Sequence, residues 1–118
     1  MASRRDQQQE NVRFLVLRLI SENPKMSTRQ IADAVGISNG SAYYVLIALV
    51  EKGFVKLENF RKNQSKVQYV RLLTSKGIRE KSLLTRRFIK YKRLEFQALK
   101  IEIEELEKEA GIPVENVS

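Results

Sequence analysis

Residues 37–49 read ISNGSAYYVLIAL, from Ile37 to Leu49, with no charged side chain in a chain of formal net charge +8. Ser38 is of a residue type that caps helices, because its hydroxyl can accept from a free backbone N–H in the first turn. The spacing behind it predicts a helix to about Lys52, stopped by Gly53. On a wheel of about 100° per residue, Ala42, Val45, Leu46 and Leu49 share one face, which is the expected core side. Gly40, Tyr43, Tyr44 and Ile47 lie opposite, with Asn39 and Ser41 near the helix N-terminus. A basic chain therefore presents one uncharged helix face that carries adjacent tyrosines.

Immediately upstream, Ser27-Thr28-Arg29-Gln30 forms a capping box in which Ser27 and Gln30 each satisfy the other's backbone donor. A short helix follows, with Ile31, Ala32 and Val35 facing inward and Gly36 suited to a left-handed terminating turn. The spacing Ala32, Gly36, Ile37, Ala42, Val45 meets the needs of a helix-turn-helix: a small residue for close approach, a glycine for the turn, and apolar residues to seat the next helix. An earlier helix is expected from a cap at Asp6 with Gln9 at its third position. Its inward stripe is Val12, Leu15, Val16, Leu19 and Ile20, which leaves Phe14 and Leu17 pointing outward; Asn23-Pro24 ends it. Downstream, Phe54–Leu57 and Val67–Leu73 are β-prone runs, and the polar, basic ENFRKNQSK between them has the length of a hairpin loop. Thr74 then caps a last helix that meets no strong breaker before Gly111 and Pro113.

The expected fold is mainly α, a winged helix-turn-helix of three helices plus a β-hairpin wing, with a long C-terminal dimerisation helix. Residues 7–74 are expected to form the winged helix-turn-helix domain and 75–110 the C-terminal helix, with 1–6 and 111–118 as flexible termini.

Composition narrows the function. The chain has no cysteine and no histidine. Disulfides and thiolate chemistry are excluded, zinc and copper lose their usual ligands, and the usual general base at neutral pH is missing. We expect a protein that is not an enzyme and needs no metal or cofactor. The N-terminal MASRRDQQQENVR lacks an apolar signal core. No stretch reaches the roughly 18 apolar residues of a membrane span, so a cytoplasmic location and no membrane partner are expected. Residues 101–118 hold six acids and one base, leaving the rest strongly cationic, a charge distribution suited to a polyphosphate partner.

The segment VGISNGSAYYVLIALVEKGFVKL resembles the DNA-binding core of winged-helix regulators of the MarR superfamily, and RLLTSKG (Arg71–Gly77) resembles that superfamily's exit from the wing into its last helix. The resemblance covers roughly residues 12–100. Within the superfamily the chain is most similar to the small MarR-type regulators associated with exopolysaccharide gene clusters, which also run from an LT-x-x-G tract into one long basic, then acidic, helix. The resemblance implies a dimeric repressor or activator. Its third helix would enter the major groove of double-stranded DNA while the hairpin touches flanking backbone or minor groove. Many relatives bind small effectors; the sequence assigns none here.

On that reading Asn39 can pair bidentately with adenine, Ser41 can donate or accept, and Gly40 allows close backbone approach. Tyr43 and Tyr44 can bond phosphate or pack on thymine methyls. Arg61, Lys62 and Lys66 in the hairpin are candidates for phosphate or minor-groove contact and Arg29 in the second helix for phosphate, whereas Arg86, Arg87, Lys90, Lys92 and Arg93 read as a solvated helix face or as partners for acidic residues. In the last helix Phe96, Leu99, Ile103, Leu106 and Ala110 repeat at heptad spacing, and Leu84, Phe88 and Tyr91 form another apolar row. The expected homodimer interface combines Phe88, Phe96, Leu99, Ile103 and Leu106 with the outward Phe14 and Leu17. The rival reading is a winged-helix protein-interaction adaptor without base readout, since an uncharged tyrosine-bearing face also suits a protein partner. RNA binding ranks lower, for want of an aromatic sheet platform.

Overall fold

The computed structural model describes residues 3–113 except 64 and 65; for residues 60–63 and 66–68 it describes the backbone alone. The elements are α1 (Arg4–Glu22), α2 (Thr28–Val35), α3 (Asn39–Glu51), β1 (Val55–Asn63), β2 (Lys66–Leu73) and α4 (Ser75–Ala110). The chain divides into two compact units, Met1–Thr85 and Arg86–Ser118. The first unit thus extends past the expected boundary at residue 74 and takes in the opening turns of α4.

Helix α1 begins before the expected cap. Ser3 is its N-cap: the Ser3 hydroxyl accepts from the Asp6 N–H at 3.1 Å, and the Asp6 carboxylate accepts from the Ser3 N–H at 3.3 Å. Asp6 therefore closes the box from its third position. Arg4 to Asp6 are helical and do not belong to a loose terminus; Met1, Ala2 and residues 114–118 lie outside the described residues.

The core of the first unit contains Phe14, Val16, Leu17, Ile20, Ile31, Ala32, Ala42, Leu46, Leu49, Phe54, Val55 and Leu84. This corrects the expectation for Phe14 and Leu17. Both are buried, at 5% and 0% exposure, so neither is available to a partner chain. Between Phe14 and Ile20 only Arg18 is charged, so this part of α1 is apolar around most of its circumference. It packs on both α2 and β2, which covers it from more than one side.

The turn from α2 to α3 follows from local chemistry. The Ser27–Gln30 capping box starts α2, and Gly36 ends it at φ 81°, in the left-handed region where glycine meets no Cβ penalty. The chain bends by 108° between the two helices, within the helix-turn-helix range. Ser38 then caps α3, accepting from the Ser41 N–H at 3.1 Å. Ala42, Leu46 and Leu49 are buried as expected, while Val45 is half-buried.

The wing differs from its expected form. β1 and β2 pair antiparallel from Val55↔Leu73 to Asn63↔Lys66, so Glu58 to Asn63 belong to a strand where a loop was expected. Lys56 to Asn59 are exposed. A two-stranded ribbon in solvent needs no apolar alternation on either face, so its outer strand residues read as loop.

Helix α4 starts against the end of α3. Thr74 Oγ1 donates to the Gly53 carbonyl at 2.6 Å and accepts from the Gly77 N–H at 3.0 Å. Gly77 itself lies so close to Phe54 that a Cβ would fall on the Phe54 carbonyl oxygen. In the second unit, residues 86–110 continue as helix. There Phe96, Leu99, Ile103 and Leu106 are exposed and Phe88 is half-buried, with the Lys92 ammonium 5.2 Å from the Phe88 ring centre.

Candidate nucleic-acid interface

Asn39, Gly40 and Ser41 occupy the first turn of α3 and are exposed. The Ser38 hydroxyl donates to Ser41 Oγ at 2.9 Å, which orients the Ser41 side chain without burying it. Tyr43 and Tyr44 are exposed at 58% and 78%, so neither belongs to the core. They diverge, however. Tyr44 shares a cleft of about 560 Å³ with Ser41 and the first turns of α1. Tyr43 lines a smaller cleft of about 230 Å³ on the other flank of α3, with Ile47, Val50, Leu57 and Arg71. Adjacent helix residues stand about 100° apart, so one face on a wheel becomes two shoulders of a helix.

Arg29 is exposed at the second position of α2. The backbone puts Arg61 opposite Val67 and Lys66 opposite Asn63, with Lys62 between on β1. The side chains of Arg61, Lys62 and Lys66 lie outside the described residues.

Arg71 escaped the sequence reading. Its guanidinium donates to the Met26 carbonyl at 3.0 Å and to Thr28 Oγ1 at 3.1 Å, while its backbone N–H donates to the Pro24 carbonyl at 3.0 Å. Burial pushes its pKa below the ordinary arginine value; an arginine nevertheless stays cationic at neutral pH. One side chain thereby ties the wing to the turn that leads into α2, and borders the cleft holding Tyr43. A cue existed: Arg71 sits between Val70 and Leu72 in a strand, so it points to the opposite face from both. Arg71→Ala should cost about 1–3 kcal/mol, because charge-assisted bonds disappear and the acceptors they served are left half-buried. Urea denaturation checks this; a midpoint equal to wild type would show that the tie is dispensable.

Three stacked helices, the bend before an exposed α3 and an antiparallel ribbon make this a winged helix-turn-helix fold. Residues 10–56 match a family described as winged helix-turn-helix DNA-binding. No curated protein matches the sequence. Among solved structures the chain is similar to the transcriptional regulator SlyA, with 23% identity and a TM-score of 0.63 over 83% of this chain and 68% of that one. It is also similar to the adhesin competence repressor AdcR of Streptococcus pyogenes, with 19% identity and a TM-score of 0.62 over 86% and 76% of the two chains. The PcaV transcriptional regulator of Streptomyces coelicolor gives 17% identity and a TM-score of 0.61 over 85% and 77%. At such identities the likeness is one of fold. Among the described residues no single helix is long and apolar enough to cross a membrane.

Proposed function

We propose that this chain is a transcriptional regulator of the MarR superfamily, of the small type associated with exopolysaccharide gene clusters, that binds double-stranded DNA sequence-specifically as a homodimer. The observation that carries this reading is the outward side of the first half of α3: Asn39, Gly40, Ser41, Tyr43 and Tyr44 are free of charge and exposed, just beyond a helix-turn-helix bend, while Ala42 between them faces the core. In this type of docking the N-terminal part of the recognition helix meets base edges. Asn39 and Ser41 offer donors and acceptors there, and the tyrosines add hydroxyls and apolar ring faces. Phosphate attraction comes from cations outside this face, Arg29 and the wing residues Arg61, Lys62 and Lys66, which supply affinity with little sequence information. Similarity to solved regulators of this fold supports the same reading.

Dimerisation is assigned to α4. Phe96, Leu99, Ile103 and Leu106 leave an apolar seam in water that a second copy would cover. Sedimentation at micromolar concentration should give twice the chain mass. Leu99→Asp should weaken association by placing an unpaired charge in the seam.

Tyr44→Ala and Asn39→Ala test the readout. Both side chains are exposed, so the melting temperature should stay near wild type. Discrimination between operator and random duplexes should fall by about 1–3 kcal/mol for each base no longer read. Anisotropy titrations on operator and scrambled duplexes measure it. Equal weakening on both duplexes would assign these residues to phosphate binding. Unchanged DNA binding together with failure to bind a protein partner would establish the adaptor reading.

A further inference from the structure

We infer that the first turns of α1, through Arg5, Gln8 and Arg13, bind a DNA phosphodiester strand alongside α3. The inference rests on the DNA-binding reading above and adds an element to it.

Val12, Val16 and Ile20 lie on the side of α1 turned toward the core. Four and seven residues before Val12, the same side continues as Gln8 and Arg5, so an apolar stripe gives way to an amide and a cation. Arg5 and Gln8 are exposed and Arg13 is half-buried. All three line the 560 Å³ cleft that α1 forms with α3, together with Ser41, Tyr44 and Lys52.

The charge of this cleft is of one sign. Arg5, Arg13 and Lys52 border it and no acid does. Among the described residues none of the three is ion-paired, whereas Arg18, further along α1, pairs with Glu22 at 3.2 Å. The rest of the lining is largely apolar, with Val12, Ile37, Val45, Ala48 and Leu49. Like charges over a low-dielectric wall focus the field and favour a polyanion.

Continuity with α3 selects the partner. Ser41 and Tyr44 belong both to the cleft and to the face assigned to base edges. The major groove is about 12 Å wide and a helix with its side chains about 10–12 Å across. A helix seated in the groove thus fills it, and an element flanking that helix meets the sugar-phosphate backbone at the groove edge. Arginine and glutamine side chains are suited to phosphate oxygens at such an edge.

The test uses the full chain with Arg5→Gln and Arg13→Gln combined, which keeps the side-chain stems and helix propensity. Affinity is measured on operator and random duplexes from about 50 to 200 mM salt. The slope of log affinity against log salt should flatten by about 0.9 for each phosphate no longer neutralised, and both duplexes should weaken by the same factor. Arg18→Gln should leave the slope at its wild-type value. If wild type binds operator DNA and the double variant keeps the full slope, this inference is wrong while the α3 reading stands. If Arg18→Gln flattens the slope equally, net charge is responsible and a local role for Arg5 and Arg13 is overturned. If wild type binds neither duplex, both readings fall.

Discussion

Gly77→Ala will destabilise the first unit by about 3 kcal/mol, at the upper end of overpacking effects. The reason is that both groups meeting there are backbone. The added Cβ would fall on the Phe54 carbonyl oxygen, with the Phe54 carbonyl carbon and Cα close behind. No side chain there can swing aside. The same carbonyl accepts from the Thr74 N–H at 3.0 Å, and Thr74 Oγ1 in turn holds the Gly77 N–H. Moving Phe54 would therefore disturb the junction of α3, β1 and α4 together. For a unit of this size the destabilisation corresponds to a fall in melting temperature of about 12–24 °C. Gly40→Ala is the contrast. Nothing lies within 4 Å of its would-be Cβ, and alanine suits a helix better by about 0.5 kcal/mol or more. That variant should be no less stable than wild type, yet bind operator DNA less well if α3 approaches the groove closely. Thermal melts of the two variants check both statements on stability; a Gly77→Ala melt within about 3 °C of wild type would show that the junction yields.

Leu17→Ala should cost about 3–4 kcal/mol, from the range found for buried leucines. Leu17 is fully buried within a single chain, among the largest side chains of the core. The cost combines transfer of the removed carbons with the cavity left between α1 and its neighbours. Because the burial is intramolecular, the cost should be the same at low and high protein concentration. Urea titrations at two concentrations measure this. A cost that shrinks as concentration rises would return Leu17 to a subunit interface.

The contrast between Leu17 and Ser27 shows where sequence was informative. Capping boxes and glycine turns depend on a few neighbouring residues, so Ser27 with Gln30, Gly36, Ser38 and Thr74 could be placed from local chemistry. The identity of the buried face in α1 depends on what surrounds the helix. A helix covered on several sides carries apolar residues nearly all round, and a single stripe of period 3.6 then selects the wrong centre, as it did for Phe14 and Leu17. Ser3 and Asp6 are both capping residue types, and only their reciprocal bonding decides which one begins α1. Outer strand residues such as Glu58 and Asn59 face solvent on a ribbon and carry no period to read. At the interface, the exposure of Tyr43 and Tyr44 followed from the wheel. Their separation into two clefts did not, because it depends on where α1 and β1 flank α3. Arg71 bonds to residues distant in sequence and Arg5 lines a cleft with α3, and spacing alone reveals neither.

Selection of genomic DNA fragments by the purified chain, followed by sequencing, tests the central claim most directly. A dimer that reads bases through α3 should enrich a palindromic motif over the input at physiological salt. Asn39→Ala should lose discrimination at one or two base pairs in each half-site while still retaining bulk DNA. Recovery of fragments in proportion to the input, with no motif from wild type, would contradict sequence-specific readout by this helix.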